Sequence, residues 1–266
     1  MRSRLPMSSS PSAALREYAE EPDRFGLIPE GSSVSRFDDG RVCIVQGATW
    51  AAVSAVHVAE DAVGALIAQV HELVGSEKRC TWWLGPSVQP ADLPERLVGH
   101  GLVRADVPTV HALALACPPP PIPAGVDVRQ VTTFEDFLAS REVQWDAFDV
   151  DAKRREQQRV HFRSEFEESI ELGVPVGFLA TLDGRPAATG LAVPSERGAF
   201  LIAGSTAPWA RRRGLYRALV RARWDYATAR GTPALVTQAV PGTSYPILKR
   251  LGFVDVCTVH RLDDMR

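Results

Sequence analysis

Residues 204–230 read G-S-T-A-P-W-A-R-R-R-G-L-Y-R-A-L-V-R-A-R-W-D-Y-A-T-A-R, and this stretch decides the fold. The apolar run before it, residues 199–203, predicts a buried strand, and apolar side chains recur at helical spacing from Leu215 to Tyr226. The segment between them, residues 208–214, is therefore predicted to be a strand-to-helix turn.

The predicted helix begins directly after Gly214. The first turn of a helix leaves backbone N–H groups unpaired and carries partial positive charge, so it binds anions. Gly214 permits close approach of the backbone to such an anion, and guanidinium groups fork onto phosphate oxygens. The turn therefore predicts a diphosphate site. The arginines around it are Arg211, Arg212, Arg213 and Arg217.

Two common phosphate loops do not fit this stretch, because it has neither the G-x-x-x-x-G-K-[ST] pattern nor three clustered glycines. It resembles the acyl-CoA pyrophosphate loop of the GNAT superfamily of N-acetyltransferases, written [QR]-x-x-G-x-[GA] and preceded by V-x-P. Arg211, Gly214 and Tyr216 occupy the three motif positions. Pro208 falls on the family proline and Thr206 on the valine. The departure is Tyr216, where a small residue is usual.

A second motif lies near the C-terminus. Residues 243–253 read T-S-Y-P-I-L-K-R-L-G-F and come after the apolar run 234–240. Leu251-Gly252-Phe253 resembles the ending of the last catalytic segment of the same superfamily, with the glycine as helix C-cap. The arginine turn alone also fits a solvated basic face or a phosphate-backbone patch. The two motifs together, in the family order, favour the GNAT interpretation.

The resemblance implies an α/β (α+β) fold with a mixed, largely antiparallel central sheet flanked by helices. Downstream of residue 124 the patterns predict strand, two helices, three strands, helix, strand, helix and strand, which is the order of the GNAT fold. The two helices are predicted over 134–148 and 151–172, and Asp183-Gly184 is predicted to turn a hairpin. The apolar residues that identify the second helix are Val160, Phe166 and Ile170.

The chain is predicted to have two parts joined by a proline-rich linker. Residues 118–123 hold five prolines, which cannot continue a helix or a central strand. Residues 124–266 are the predicted catalytic GNAT domain, residues 13–117 a smaller, degenerate GNAT-like lobe, and residues 1–12 a disordered N-terminus.

The first part echoes the second. L-P-E-R-L-V-G-H-G-L followed by T-V-H-A-L resembles Y-P-I-L-K-R-L-G-F followed by T-V-H-R-L. In the place of the phosphate turn, residues 58–65 read V-A-E-D-A-V-G-A, where Glu60 and Asp61 would repel a diphosphate. One CoA site per chain is therefore predicted.

The resemblance implies acetyl-CoA as the co-substrate. Its diphosphate would rest on the first turn of the helix, and backbone N–H groups of the preceding strand would polarise the thioester carbonyl. The residues predicted to bind it are Gly204, Ser205, Thr206, Arg211, Arg212, Arg213, Gly214, Leu215, Tyr216 and Arg217.

The reaction needs a base for the amine and a proton donor for the departing thiolate. Many family members carry a tyrosine in Y-x-x-x-G-F, but Leu248 stands at that position. Tyr245 and Ser244 are the candidate catalytic residues; the alternatives are core packing or substrate contact for Tyr245 and helix capping for Ser244. For the base, Asp146, Asp149 and a water chain stay open.

Composition bounds the classes of function. The 266 residues are 45% hydrophobic with a net charge of −2, which predicts a soluble globular chain and disfavours a general nucleic-acid binder. The four cysteines form no C-x-x-C pair, so neither a metal site nor a disulfide framework is predicted. Residues 1–11 lack the apolar run of a signal peptide or membrane span, which predicts a cytoplasmic protein without a membrane partner.

The predicted function is acetyl-CoA-dependent transfer of an acetyl group to an amine of a small molecule or peptide, by a monomer or homodimer. The alternative is a catalytically inactive acyl-CoA-binding regulatory module, because Leu248 replaces the usual tyrosine. A third class, a nucleic-acid binder that uses the arginine turn, predicts affinity that falls steeply with salt.

Overall fold

The computed structural model describes residues 10–265, which divide into two compact units. The continuous unit is Leu115–Val236, and the discontinuous unit is Pro11–Ala114 together with residues 237–265. Of the tail predicted to be disordered, residues 1–9 lie outside the described part of the chain. Ser12 is the N-cap of the first helix, and its hydroxyl accepts a hydrogen bond from the N–H of Leu15 at 3.3 Å.

The secondary-structure elements are numbered in chain order. The strands are β1 (Ser35–Asp38), β2 (Cys43–Gln46), β3 (Trp50–Ser54), β4 (Arg79–Leu84), β5 (Val103–Leu115), β6 (Val126–Gln130), β7 (Val176–Leu182), β8 (Arg185–Ser195), β9 (Gly198–Thr206), β10 (Leu235–Ala239) and β11 (Val254–Asp264). The helices are α1 (Ala13–Glu20), α2 (Pro22–Phe25), α3 (Val63–Val74), α4 (Leu93–Gly99), α5 (Phe134–Ala147), α6 (Ala152–Arg159), α7 (Phe162–Leu172), α8 (Leu215–Ala229) and α9 (Tyr245–Arg250).

The continuous unit is built on an antiparallel meander. β6 pairs with β7, β7 with β8 and β8 with β9 in antiparallel fashion, and the start of β10 runs parallel to β9. Asp183 and Gly184, with φ of 50° and 80°, form the predicted hairpin turn between β7 and β8. The mixed, largely antiparallel sheet predicted from the sequence is confirmed.

Helices pack against this meander and position the turn that comes after β9. Both α5 and α8 contact β7, β8 and β9, and residues 178–182 of β7 are all buried, as expected for a strand covered on both faces. Leu215 and Leu219 of α8 are buried one turn apart. Each such burial stabilises the fold by about 1.5–3 kcal/mol, so the start of α8 is fixed on the sheet.

The single helix predicted over 151–172 is wrong, because the chain forms α6 and α7 with a break between them. Phe162 is 3% exposed and its ring stacks on the tryptophan of α5 at 5.2 Å between centroids. Val160, two residues earlier, would point away from that contact in one helix, and it is 72% exposed. Ile170 is also exposed, whereas Phe166 packs against aromatic rings of α5 as predicted.

The discontinuous unit is also built on hydrogen-bonded strands. β1, β2 and β3 are antiparallel, β3 and β4 are parallel, and β11 pairs antiparallel with both β4 and β5. Leu262 of β11 is wholly buried in a core with Trp82 and the apolar faces of α3 and α4. The last strand therefore completes the sheet of residues 11–114. The compact units differ here from the predicted segments 13–117 and 124–266. The prediction placed residues 237–265 with the second segment, whereas they pack with residues 11–114.

Candidate functional site

A turn with two left-handed residues connects β9 to α8. Residues Pro208–Ala210 form one 3₁₀ turn, and Arg211 is extended. Arg212 and Gly214 are left-handed, with φ of 66° and 81°. Turns of this kind make successive backbone N–H groups converge into anion-binding concavities. This is the strand-to-helix turn that the sequence predicts.

The N-terminus of α8 offers unpaired backbone donors. The N–H of Ala218 donates to the carbonyl of Gly214 at 3.0 Å, which is the first bond of the helix. The N–H groups of residues 215–217 therefore precede the helical hydrogen-bond ladder and have no acceptor within it. Together with the helix dipole, these three groups favour a bound anion.

Gly214 is required at this turn for two reasons. Its φ of 81° lies in the left-handed region, which side chains disfavour. A Cβ placed on it would also lie 2.7 Å from Cγ of Pro123, in the predicted linker. Any other residue would strain the turn and displace the linker proline.

The four arginines of the turn differ in burial. Arg211, Arg212 and Arg213 are exposed, and Nη2 of Arg211 donates to the carbonyl of Ala147 at the end of α5 at 3.3 Å. Arg217 is half-buried, and its Nε is enclosed without a hydrogen-bond partner among the described residues. An enclosed guanidinium N–H without an acceptor is costly. An anion at the helix N-terminus is an acceptor that suits it.

β9 is irregular just before the turn. Ala203 has φ of 53°, and the pairing of β8 with β9 shifts register between Thr189 and Leu191. The parallel ladder with β10 involves residues 199 and 200 of β9. Bulges re-aim backbone groups and adjoin functional sites. The predicted thioester donors, residues 204–206, come directly after this bulge.

Comparisons with solved structures identify the fold. A GCN5-related N-acetyltransferase from Kribbella flavida superposes with a TM-score of 0.68 at 21% identity, covering 94% of this chain and 95% of that chain. A tandem GNAT protein from the clavulanic acid biosynthesis pathway reaches 0.58 at 17% identity, covering 97% and 89%. No family model matches the chain, and no curated protein sequence matches it significantly.

The chain has the GNAT fold. The fold class predicted from the sequence is therefore confirmed. A further GCN5-related N-acetyltransferase, from Sphaerobacter thermophilus, superposes with a TM-score of 0.55 at 17% identity and covers 88% of this chain and 82% of that chain. The three superpositions extend over both halves of the chain, which agrees with a two-part GNAT protein.

Tyr216 departs from the GNAT loop pattern, and the structure shows how the fold accommodates it. Its ring lies against β9, where a Cβ on Gly204 would be 2.9 Å from Cε2 of the tyrosine. Its hydroxyl lies beside the guanidinium of Arg223, which is 1% exposed. Burial raises the pKa of Tyr216 and lowers that of Arg223. Sequence reasoning missed Arg223, although it lies seven residues after Tyr216 on the apolar face of α8.

Tyr245 lies in the discontinuous unit, on α9. Its ring stacks on that of His111 at 4.2 Å between centroids. Its hydroxyl donates a hydrogen bond to Asp255, which raises the pKa of Tyr245. Nζ of Lys249 lies 2.6 Å from the same carboxylate; although burial opposes it, the bonds from Lys249 and Tyr245 lower the pKa of Asp255. The structure thus groups Tyr245 with His111 and Asp255.

Two of the other candidates for proton transfer, Ser244 and Asp146, have hydrogen-bond or ion-pair partners. Ser244 stands at the N-cap of α9 but makes no capping bond; its Oγ accepts a hydrogen bond from the N–H of Val240 at 3.2 Å, so the capping alternative is wrong. Asp146 pairs with Arg155 at 3.2 Å. Asp149, with φ of 51°, lies just beyond the end of α5.

The discontinuous unit carries a bulge comparable to the one in β9: Cys43 pairs with Ser54, but the N–H of His57 donates to the carbonyl of Arg41 at 2.7 Å, so one extra residue lies between the two contacts. Ala55 lies directly after β3 with φ of 52°, close to the value at Ala203. Beyond it, Gln89 donates its N–H to the carbonyl of Val56 at 2.8 Å and accepts one from Val58 at 3.1 Å. The backbone of Gln89 therefore lies beside the segment that comes directly after the bulge.

The helix after this second bulge begins differently. A 3₁₀ turn, Glu60–Ala62, precedes α3, and the cap residue Ala62 has an ordinary φ of −89°. The carboxylate of Glu60 is paired with Arg96 at 2.7 Å. This turn has neither the left-handed glycine nor the positive charge of the turn before α8.

Two further observations concern possible metal ligands and thiols in the described part of the chain. Among residues 10–265, no three His, Cys, Asp or Glu side chains are grouped so as to hold a metal ion. Burial raises the pKa of Cys43 and of Cys257 to about 12, so neither thiol ionises near neutral pH. In the same residues, every helix is too short or too polar to cross a membrane.

Proposed function

We propose that this protein is an acetyl-CoA-dependent N-acetyltransferase that acts on an amine of a small molecule or peptide. The observation that carries the proposal is the turn before α8, where Gly214 is left-handed and Nε of Arg217 is enclosed without a hydrogen-bond partner in the described part of the chain. The likeness to the proteins from K. flavida and S. thermophilus, both GCN5-related N-acetyltransferases, supports it.

Residues of the turn would hold the diphosphate of the co-substrate. The N–H groups of residues 215–217 supply backbone hydrogen bonds, and Arg217 supplies a charge-assisted one, which is about twice as strong as a neutral bond. The exposed Arg211, Arg212 and Arg213 add positive charge around the site. Acetyl-CoA supplies an acyl group that is activated as a thioester.

Backbone donors of β9 would act on the acyl group. Successive N–H groups of a strand point to opposite sides, and β8 pairs with residues 205 and 206. In this proposal, the N–H groups of residues 204–206 that point away from β8, after the bulge at Ala203, bind the thioester carbonyl oxygen. Negative charge builds up on that oxygen as the amine attacks. One such donor typically contributes about 10²–10³ in rate, because it is already oriented when the charge develops.

Proton transfer completes the reaction. The amine must lose a proton, and the departing thiolate must gain one. Tyr245 and Ser244 stay the predicted donors, and the raised pKa of Tyr245 keeps its proton in place at neutral pH. The hydrogen bond from Tyr245 to Asp255 orients that hydroxyl.

One CoA site per chain is expected from the difference between the two bulged strands. In the discontinuous unit, Gln89 occupies the position beside the bulge at Ala55, and Glu60 carries the wrong charge. Among residues 10–265, the ladder of β10 beside β9 involves only residues 199 and 200 of β9, and the turn before α8 carries arginines instead of acidic residues. We therefore assign the cofactor to the continuous unit.

A second candidate function is an acyl-CoA-binding regulatory module without catalysis. Two observations favour it: Leu248, at the usual position of the acid, is wholly buried, and the hydroxyl of Tyr245 is engaged by Asp255. Both candidates predict CoA binding, and they differ in turnover.

Two experiments test these functions. Isothermal titration with acetyl-CoA should give saturable binding to the wild-type chain, and no heat at about millimolar cofactor would contradict both candidates. Release of CoA thiol is then measured with a panel of small amines, aminoglycosides and peptides. Sustained release with any amine supports the transferase and rejects the inactive module; binding without release from the whole panel favours the module.

A further inference from the structure

We infer that Arg223, with Tyr216, holds the bulge between β8 and β9 in the geometry that aims the backbone donors of residues 204–206. Arg223 is in this view a positioning residue rather than a ligand of the cofactor. Its effect on the bulge is inferred from its contacts alone. Its effect on catalysis rests in addition on the proposed function.

The guanidinium of Arg223 is bonded to backbone carbonyls of two elements. Nε donates to the carbonyl of Leu219 in α8 at 3.0 Å, and Nη1 donates to the carbonyl of Leu191 in β8 at 3.2 Å. Nη2 has no well-aligned acceptor among the described residues. The side chain therefore links the helix to the strand that carries the register shift.

Arg223 contacts the residue of β8 at which the pairing with β9 shifts. The pairing of β8 with β9 shifts between Thr189 and Leu191, so Gly190 is the residue at the shift. A Cβ on Gly190 would lie 2.9 Å from Nη1 of Arg223. The guanidinium thus lies against the backbone of Gly190, in space that a side chain on this residue would fill.

Tyr216 makes the corresponding contact on β9. It lies seven residues before Arg223, two turns away on the same face of α8, and its ring lies against Gly204. The hydroxyl of Tyr216 is the side-chain group, within residues 10–265, that favours the charged form of Arg223. One helix face therefore contacts both strands of the bulge, at Gly190 through Arg223 and at Gly204 through Tyr216.

Stability alone is a poor reason for this arrangement. A buried cation without a carboxylate partner is expensive to desolvate, and a well-packed apolar side chain of similar volume is often as stable or more stable. A left-handed alanine such as Ala203 persists where its surroundings hold it, and such residues cluster at functional sites. The pair formed by Arg223 and Tyr216 supplies that support.

The test compares R223M with R221M. Arg221 lies on the same helix, where it pairs with Asp225 at 2.9 Å and donates to the carbonyl of Pro119 at 3.3 Å. Both partners lie outside β8 and β9, so R221M removes a cation without touching the bulge. Two quantities are measured: amide hydrogen exchange of residues 202–206 in the protein without ligand, and kcat and KM for acetyl-CoA by thiol release with an accepted amine. A thermal melt accompanies each variant.

We expect R223M to melt at or above the wild-type temperature, because a buried cation is removed. Exchange of residues 202–206 should rise about tenfold, while that of β7 stays unchanged. kcat should fall about tenfold or more, with KM for acetyl-CoA within about threefold, because the donors are misaimed but the phosphate turn is intact. R221M should match the wild type in exchange and in kcat.

Exchange and kcat of R223M within about twofold of the wild type would overturn the inference, as would a raised KM with unchanged kcat. If R223M does not fold, R223K decides: it keeps the charge but cannot bond both carbonyls, so wild-type exchange in it contradicts the inference. The exchange measurement needs no turnover. A wild-type chain that neither binds nor turns over acetyl-CoA would therefore refute the proposed function and leave the bulge measurement to be judged on its own.

Discussion

The two bulged strands of this chain share a backbone plan and differ in the turns that connect them to their helices. Ala203 in β9 and Ala55 after β3 have φ of 53° and 52°, and each strand leads into a helix over one 3₁₀ turn. One helix then begins at a left-handed glycine among arginines, the other at Ala62 beside Glu60. The repeated backbone arrangement is therefore not sufficient for an anion-binding site, which depends on the residues of the turn.

The ladder beside each bulge sharpens this contrast. Gln89 donates its N–H to residue 56 and accepts a hydrogen bond from residue 58. In the discontinuous unit, the backbone of Gln89 therefore lies directly beside the segment that comes after β3. In β9, the parallel ladder with β10 involves residues 199 and 200, and the strand continues to Thr206. The charge of the turn, its left-handed glycine and the extent of the neighbouring ladder distinguish the two regions.

The largest effect is expected at the glycine. Gly214→Val should weaken acetyl-CoA binding about 100-fold or more, because a side chain there clashes with Pro123 and blocks the approach of an anion to the backbone donors. The measurement is isothermal titration on protein whose fold is verified by circular dichroism.

Gly231→Val is the matched control for this variant. Gly231 has φ of 77° at the other end of α8, and a Cβ there meets nothing within 4 Å. It should lose a similar amount of stability, about 1–2 kcal/mol, and keep wild-type affinity. Equal affinities for the two variants would remove the reason for placing the diphosphate at this turn.

A smaller effect is expected at the half-buried arginine. Arg217→Ala should weaken acetyl-CoA binding about tenfold, since its enclosed Nε loses a charge-assisted bond while the backbone donors remain. Titration at low and high salt measures it. Arg221→Ala, on the same helix but bonded to Asp225 and to the carbonyl of Pro119, should leave affinity unchanged. A wild-type affinity in Arg217→Ala would show that its enclosed nitrogen has another partner.

Much of the continuous unit could be predicted from the sequence. The turn from β9 to α8 and the hairpin at Asp183-Gly184 depend on local rules: apolar periodicity ends at residues that tolerate left-handed backbone. Gly214 illustrates this, because its place after an apolar strand and before an amphipathic helix suffices to predict its role in the turn.

The errors arose where distant contacts decide the outcome. Val160 and Phe162 are both apolar, and which one is buried depends on the tryptophan of α5. The pairing of β11 with β4 and β5 joins residues far apart in the chain, which periodicity does not encode. Arg223 gave a signal, an arginine on an apolar helix face, but its acceptors lie on another element.

A modest dependence of folding stability on pH is expected from Asp23, in the discontinuous unit. Burial raises the pKa of Asp23 to about 6, with Arg36 acting in the opposite direction. The folded state therefore holds this proton up to higher pH than the unfolded chain, so stability is present below pH about 4 and is lost as the pH rises to about 6.

Asp23→Asn removes this titration. It should raise the free energy of unfolding at pH 7 by about 1 kcal/mol, less than the full shift implies because Asp23 keeps part of its surface exposed, and flatten the profile between pH 4 and 6. Denaturant unfolding at several pH values measures it, with acetyl-CoA affinity as the internal control. A variant less stable than the wild type at pH 7 would show that the carboxylate is favourably paired.

No gain of binding is expected from charge reversal in the discontinuous unit. The double variant Glu60→Arg, Asp61→Arg gives its turn the charge of the other turn but neither the left-handed glycine nor an open strand edge. Titration should still give about one acetyl-CoA per chain at wild-type affinity. A second site appearing in this variant would mean that charge alone separates the two regions.

Hydrogen exchange with and without acetyl-CoA tests the central claim, that one cofactor binds at the turn before α8. Saturating acetyl-CoA should slow exchange of residues 204–217 and leave residues 55–65 as they are in the free protein. Protection of residues 55–65, or protection of neither segment at saturation, would contradict it.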